Sequence, residues 1–126
     1  MKLKPICHAL AAGVLLCPLL AQASMFYDGA DLKHLLDINA RVAQGNASAL
    51  EAAKAGRLQG FIVGVNDALS GSEFCPPKEA KLGDLIAVVG EYVDLNIDRW
   101  DEPAVVLAAE ALAAEYPCKG KKRTGN

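Results

Sequence analysis

Histidine is scarce in this chain of 126 residues: there are two, His8 and His34, and no Cys-x-x-Cys pair accompanies them. That shortage argues against a zinc site, which needs several nitrogen, sulfur or carboxylate ligands at close spacing. It also leaves His34 as the one imidazole base for a nucleophilic mechanism in the mature chain. No Gly-rich loop followed by Lys is present to cradle a phosphate. Neither charge is in large excess, with 13 Lys and Arg against 15 Asp and Glu, so there is no general footing for nucleic-acid binding. The longest apolar run, Ala9 to Leu20, falls short of the ~20 residues that a helix needs to cross a bilayer. No cofactor is expected.

What is present begins with an export signal. Met1 to Lys4 supply a basic start, Ala9 to Leu20 an apolar centre, and Ala21-Gln22-Ala23 the small-x-small end that a signal peptidase accepts. Residues 1–23 are expected to be removed, taking Cys7 and Cys17 with them. A lipidated Cys17 is disfavoured because bulky Leu16 precedes it. The mature chain then works in the periplasm, with no membrane attachment after cleavage. Of the bases, Lys2 and Lys4 leave with the signal and Lys119, Lys121, Lys122 and Arg123 lie in the tail, so residues 24–118 carry 7 bases against all 15 acids. The body is acidic, which steers basic partners toward it and repels polyanions.

Two cysteines remain, Cys75 and Cys118, and in an oxidising compartment a disulfide is the default. Closing a loop of that length removes denatured-state entropy worth roughly 4 kcal/mol in the chain-entropy model.

The mature sequence has the periodicity of an all-α domain with four main helices. Asp31 is placed to cap a first helix in which Leu32, Leu35, Leu36 and Ile38 recur at helical spacing to about Ala43; Gly45 and Asn46 end it. Ser48 and Glu51 form a capping box for a second helix to about Leu69, with an apolar stripe of Leu50, Ala53, Leu58, Phe61, Ile62, Val65 and Leu69. Phe61 to Val65 also suits a short buried strand. Within this helix Gly56, Gly60 and Gly64 recur every fourth residue at a propensity cost of ~3 kcal/mol, which predicts close packing by another helix. A third helix spans about Lys81 to Asn96, and its inward face is Leu82, Leu85, Ile86, Val89, Tyr92 and Val93. Asp101 is the expected cap of a fourth helix, with Glu102 and Pro103 in its first turn and Val105, Val106, Ala109, Leu112, Ala113 and Tyr116 inward. Residues 24–118 form one domain, and 119–126 are a basic tail expected to fray.

Chemistry-bearing patterns are sparse. Asp98 with Asp101, or Asp101 with Glu102, could serve as paired carboxylates for glycoside hydrolysis, but capping explains the second pair. The Asn46-Ala47-Ser48 sequon is better explained by the cap at Ser48. Trp100 stands in a linker among Asp98, Arg99 and Asp101, the composition of a protein-binding hot spot; it also suits closure of the core. The candidate binding residues are therefore Phe74, Asp98, Arg99, Trp100 and Asp101, on loops 74–81 and 95–101 that the prolines Pro76 and Pro77 and the bridge hold stiff.

Taken in order, Phe61 to Leu69, Phe74-Cys75-Pro76-Pro77, Leu85 to Tyr92, Arg99-Trp100-Asp101-Glu102-Pro103 and Ala113 to Cys118 resemble the Rap/Tai immunity-protein family over about residues 28–118. The resemblance implies a small helical periplasmic protein, often a homodimer, that protects its bacterium from a type VI secreted amidase by plugging the active-site cleft that cuts peptidoglycan peptides. The partner implied is a cognate cell-wall amidase effector, and no catalysis of the chain's own. Relatives commonly have a second cysteine pair; here the corresponding stretches, Leu36 to Asn39 and Arg57 to Gly60, have none. A small helical acid-stress chaperone of the periplasm is the alternative.

Overall fold

The computed structural model describes residues 26–120. The expected signal, and the end of the tail from residue 121, lie outside the described residues. Four α-helices follow in order: α1, Gly29–Ala43; α2, Ala49–Leu69; α3, Leu82–Leu95; and α4, Ala104–Glu115. A 3-10 turn, Ile97–Arg99, stands between α3 and α4. Among the described residues there is no named strand, and Phe61 to Val65 belong to α2.

The first helix is capped three residues earlier than expected. Asp28 is the N-cap, its carboxylate accepting from the Asp31 amide at 2.8 Å, while Asp31 reciprocates toward the Asp28 amide. Gly45 then turns the chain at φ 77°. At α2 the capping box of Ser48 and Glu51 is formed as expected, and Arg41 of α1 reaches across the turn to Glu51 at 2.9 Å. Those contacts hold the Glu51 carboxyl down at about 2, the Ser48 amide first among them and Arg41 next.

Each helix contributes one stripe to a single core: Leu32, Leu35 and Leu36 from α1, Leu58, Ile62 and Val65 from α2, Leu85, Val89 and Val93 from α3, and Ala104, Leu107, Ala108, Ala111 and Leu112 from α4. The closest pairings are α1 with α2 and α3 with α4. Burying a set of branched aliphatic side chains of this kind is worth ~1.5–3 kcal/mol each before conformational entropy is subtracted.

Three expectations fail in the detail. Leu50 and Ala53 of the expected α2 stripe are exposed, Leu50 at 66%, on the side of the helix away from Leu58, Ile62 and Val65. The glycines Gly56, Gly60 and Gly64 do not seat another helix of this chain, for a Cβ built on any of them meets nothing within 4 Å. They lie on the outer face of α2, opposite Leu58, Ile62 and Val65. Finally, α4 presents Leu107, Ala108 and Ala111 to the core and leaves Val105 and Val106 exposed.

Cys75 and Cys118 are joined, with Cα atoms 4.8 Å apart, so the loop after α2 is tied to the end of α4. The Cys75 amide also donates to the Tyr116 carbonyl at 2.7 Å.

Candidate functional site

The turn between α3 and α4 is the most heavily pinned irregular segment of the chain. It starts where Asn96 ends α3 and donates from Nδ2 to the Tyr92 carbonyl at 2.7 Å, satisfying one of the acceptors a helix end leaves free. Arg99 follows in the 3-10 turn. Its Nε and one terminal nitrogen form a fork on the Glu102 carboxylate, both at 2.7 Å, and its other terminal nitrogen reaches Glu110 of α4 at 2.7 Å and the Tyr92 hydroxyl at 2.8 Å. Tyr92 in turn donates to Glu110 at 2.9 Å. A guanidinium is suited to this task because its planar donors meet two acceptors without reorientation.

The electrostatics follow from that clamp. Hydrogen bonding to Arg99 holds both Glu102 and Glu110 below the ordinary carboxylate range, and the two glutamates push the Arg99 guanidinium further up. Partial burial and the Glu110 hydrogen bond push the Tyr92 phenol up. A general acid at neutral pH needs the opposite displacement of its carboxyl, so neither glutamate is set up for that role.

The same segment supplies the floor for the start of α1. The Trp100 carbonyl accepts from Ala30 at 3.0 Å and the Glu102 carbonyl from Gly29 at 2.9 Å, while Ala104 donates to the Tyr27 carbonyl at 3.1 Å. Two of the orphan amides of the α1 first turn are thus answered by the turn. The close approach requires a residue without a side chain: a Cβ on Gly29 would lie 2.7 Å from the Trp100 Cα and 2.6 Å from Leu107 Cδ1. These bonds keep residues 101–103 out of the helix. Asp101 therefore does not cap α4; Pro103 occupies the cap position, without a side-chain bond.

The residues expected to bind a partner now separate. Phe74 does not: it is 0% exposed, part of the core, and anchors its loop. Arg99 and Trp100 turn inward, Trp100 half-buried with its indole N–H donating to the Val93 carbonyl at 2.9 Å. Asp98 and Asp101 are exposed. Beside them stand two apolar side chains that sequence reasoning left unremarked, Leu95 at 77% and Ile97 at 65% exposure. The signal for Leu95 was its place outside the stripe of Leu82, Leu85, Ile86, Val89 and Val93. The arrangement is a hydrogen-bonded corner that presents two aliphatic side chains and two acids to solvent.

Other surfaces offer less. His34 is exposed on α1. Lys33 is held between Asp37 at 2.6 Å and Asp94 at 2.9 Å, hydrogen bonds that raise its ammonium pKa. Among the described residues no group of three or more His, Cys, Asp or Glu is gathered to hold a metal ion, and no helix is long and apolar enough to cross a membrane.

Comparison with known proteins agrees with the helical architecture. No curated protein matches the chain. A family model does, that of the Rap1a immunity proteins, and it matches residues 28–118, from the α1 cap to the second cysteine of the bridge. The chain belongs to the Rap1a immunity protein family, a membership that points to immunity against a secreted effector by inhibition rather than by a reaction of its own.

Proposed function

We propose that this protein is exported, loses residues 1–23, and in the periplasm binds and occludes a peptidoglycan amidase delivered by type VI secretion. The corner of residues 95–101 is the docking element. The observation that carries this reading is the contrast within the corner: Arg99 and Trp100 are committed inward by hydrogen bonds, while Leu95, Ile97, Asp98 and Asp101 are left facing solvent. A surface already held in one conformation loses little entropy on docking. Leu95 and Ile97 supply apolar area to be covered, and the acids supply acceptors for basic or N–H-bearing groups around a cleft.

The test is genetic and biochemical together. Deletion of the gene should make the cell sensitive to its own kin, and the chain should copurify with a cell-wall hydrolase encoded beside it. Ile97→Asp should abolish both protection and copurification, because it places a charge in the covered centre of the interface. An insensitive deletion strain with no hydrolase bound overturns the reading.

A further inference from the structure

A groove of about 360 Å³ lies open along α2 beside the start of α4, a volume at the lower end of the range for small-molecule sites. Gly60, Phe61, Gly64, Ala68 and Leu69 border it from α2 and Val105 from α4, and every lining residue is Gly, Ala, Val, Leu or Phe. Gly60 and Gly64 hold it open. A Cβ on either meets nothing within 4 Å, so a larger side chain there would project into the groove. From Gly60 to Leu69 the helix rises about 13 Å, which gives the groove the shape of a track for one short extended chain.

The walls restrict what can lie in it. An extended peptide would bring N–H and C=O groups that neither the already bonded backbone of α2 nor these side chains can answer, and such groups are costly to leave unpaired. An aliphatic chain brings none. Charge marks one end. Arg57 precedes Phe61 by four residues and Lys54 precedes it by seven, so both stand on the stripe of α2 that borders the groove, one and two turns before it. Arg57 is exposed and Lys54 half-buried, and neither has an ion pair or hydrogen bond among the described residues, whereas Lys33, Arg41 and Arg99 are all paired. Two unpaired cations at one end of an apolar track are the counterpart of an anionic head on an aliphatic tail.

We propose that this groove binds a fatty-acid anion, with its tail along Gly60, Gly64 and Ala68 and its carboxylate at Arg57 and Lys54. Each methylene that the groove covers leaves water, which supplies affinity. The Arg57 guanidinium, whose paired donors match the two oxygens of a carboxylate, sets the direction in which the chain lies. None of residues 95–101 borders the groove. The inference is therefore independent of the inhibitor reading, and its failure would leave that reading untouched.

Dodecanoate, titrated into the purified, oxidised protein below the concentration at which it forms micelles and followed by amide NMR shifts, decides it. The shifts should saturate and concentrate on residues 60–69 and Val105. Dodecyltrimethylammonium, with the same chain and a cationic head, should bind at least roughly fivefold more weakly, and Arg57→Gln and Lys54→Gln should each weaken dodecanoate roughly fivefold, the size of an exposed ionic contact. Gly64→Leu should keep the helical spectrum, since the added side chain meets nothing in its own chain, and should abolish binding by filling the groove. An ammonium that binds as well as the carboxylate overturns the proposal, as do shifts that fall outside the groove or a Gly64→Leu variant that binds like the wild type. No saturable shift at all overturns it too, as does a groove found covered by a second copy or by a protein partner.

Discussion

Gly29 and Arg99 fix the corner from its two sides, one by having no side chain and one by having five donors. Gly29→Ala must push the Trp100 backbone or tilt α1, and overpacking of that kind costs about 1–3 kcal/mol; the urea midpoint should fall accordingly, whereas Gly83→Ala, at an open position of α3, should not lower it. Arg99 sets a pH dependence. Glu102 and Glu110 titrate below their unfolded values because Arg99 bonds to them, and Glu51 titrates at about 2 chiefly because of the Ser48 amide. Stability from groups lowered in this way is complete above the unfolded carboxylate range of about 4.3 and is lost as pH falls toward the folded values. Denaturation followed from neutral pH down to about pH 2 should therefore show declining stability below about pH 5, and Arg99→Ala should be weaker at neutrality with a flatter decline. Raising the salt should flatten it too, because these groups are partly exposed and so partly screened. At this scale the sequence was legible where a residue's role is local, as at Ser48 and Glu51. It misled at Phe74, whose loop position gave no sign that the chain folds back to bury it, and it was silent about Gly29, whose constraint comes from Trp100, far along the chain.

At the scale of elements, α1 and α3 could be read closely because each has a polar side that names its apolar one. The stripe of α3 from Leu85 to Val93 is an example, and even there the ends shift by only one residue. In α4 the sequence AVVLAAEALAAE is apolar nearly all round, so periodicity cannot choose a face. The choice is made by Leu107, which packs under Gly29. The two β-branched valines expected inside stay at the surface. The disulfide is an element-scale brace. Because it closes a loop 43 positions long, replacing both cysteines by serine should cost roughly 4 kcal/mol and lower the melting temperature by roughly 20 °C. Reductant should lower the wild-type melt by a similar amount and leave the double-serine variant unchanged. A reduced protein as stable as the oxidised one would mean that core packing alone holds α4 to the loop after α2.

For the molecule as a whole, membership of the Rap1a immunity family implies an inhibitor rather than an enzyme. The turn pinned by the Arg99 and Trp100 hydrogen bonds displays aliphatic side chains among acids. Composition foretold an acidic helical body but not which part of it is presented, because that depends on which side chains the Arg99 and Trp100 bonds draw inward. If residues 95–101 are the inhibitory surface, as proposed, the most direct measurement is a titration of the purified chain against a peptidoglycan-cleaving amidase encoded beside its gene, following turnover of muropeptide. Turnover should fall to nothing as the two proteins reach equivalence, and Ile97→Asp, folded and with an unchanged melt, should need at least roughly a hundredfold more protein for the same effect. Undiminished turnover with excess wild-type chain, or an Ile97→Asp variant that inhibits as well as the wild type, would contradict it.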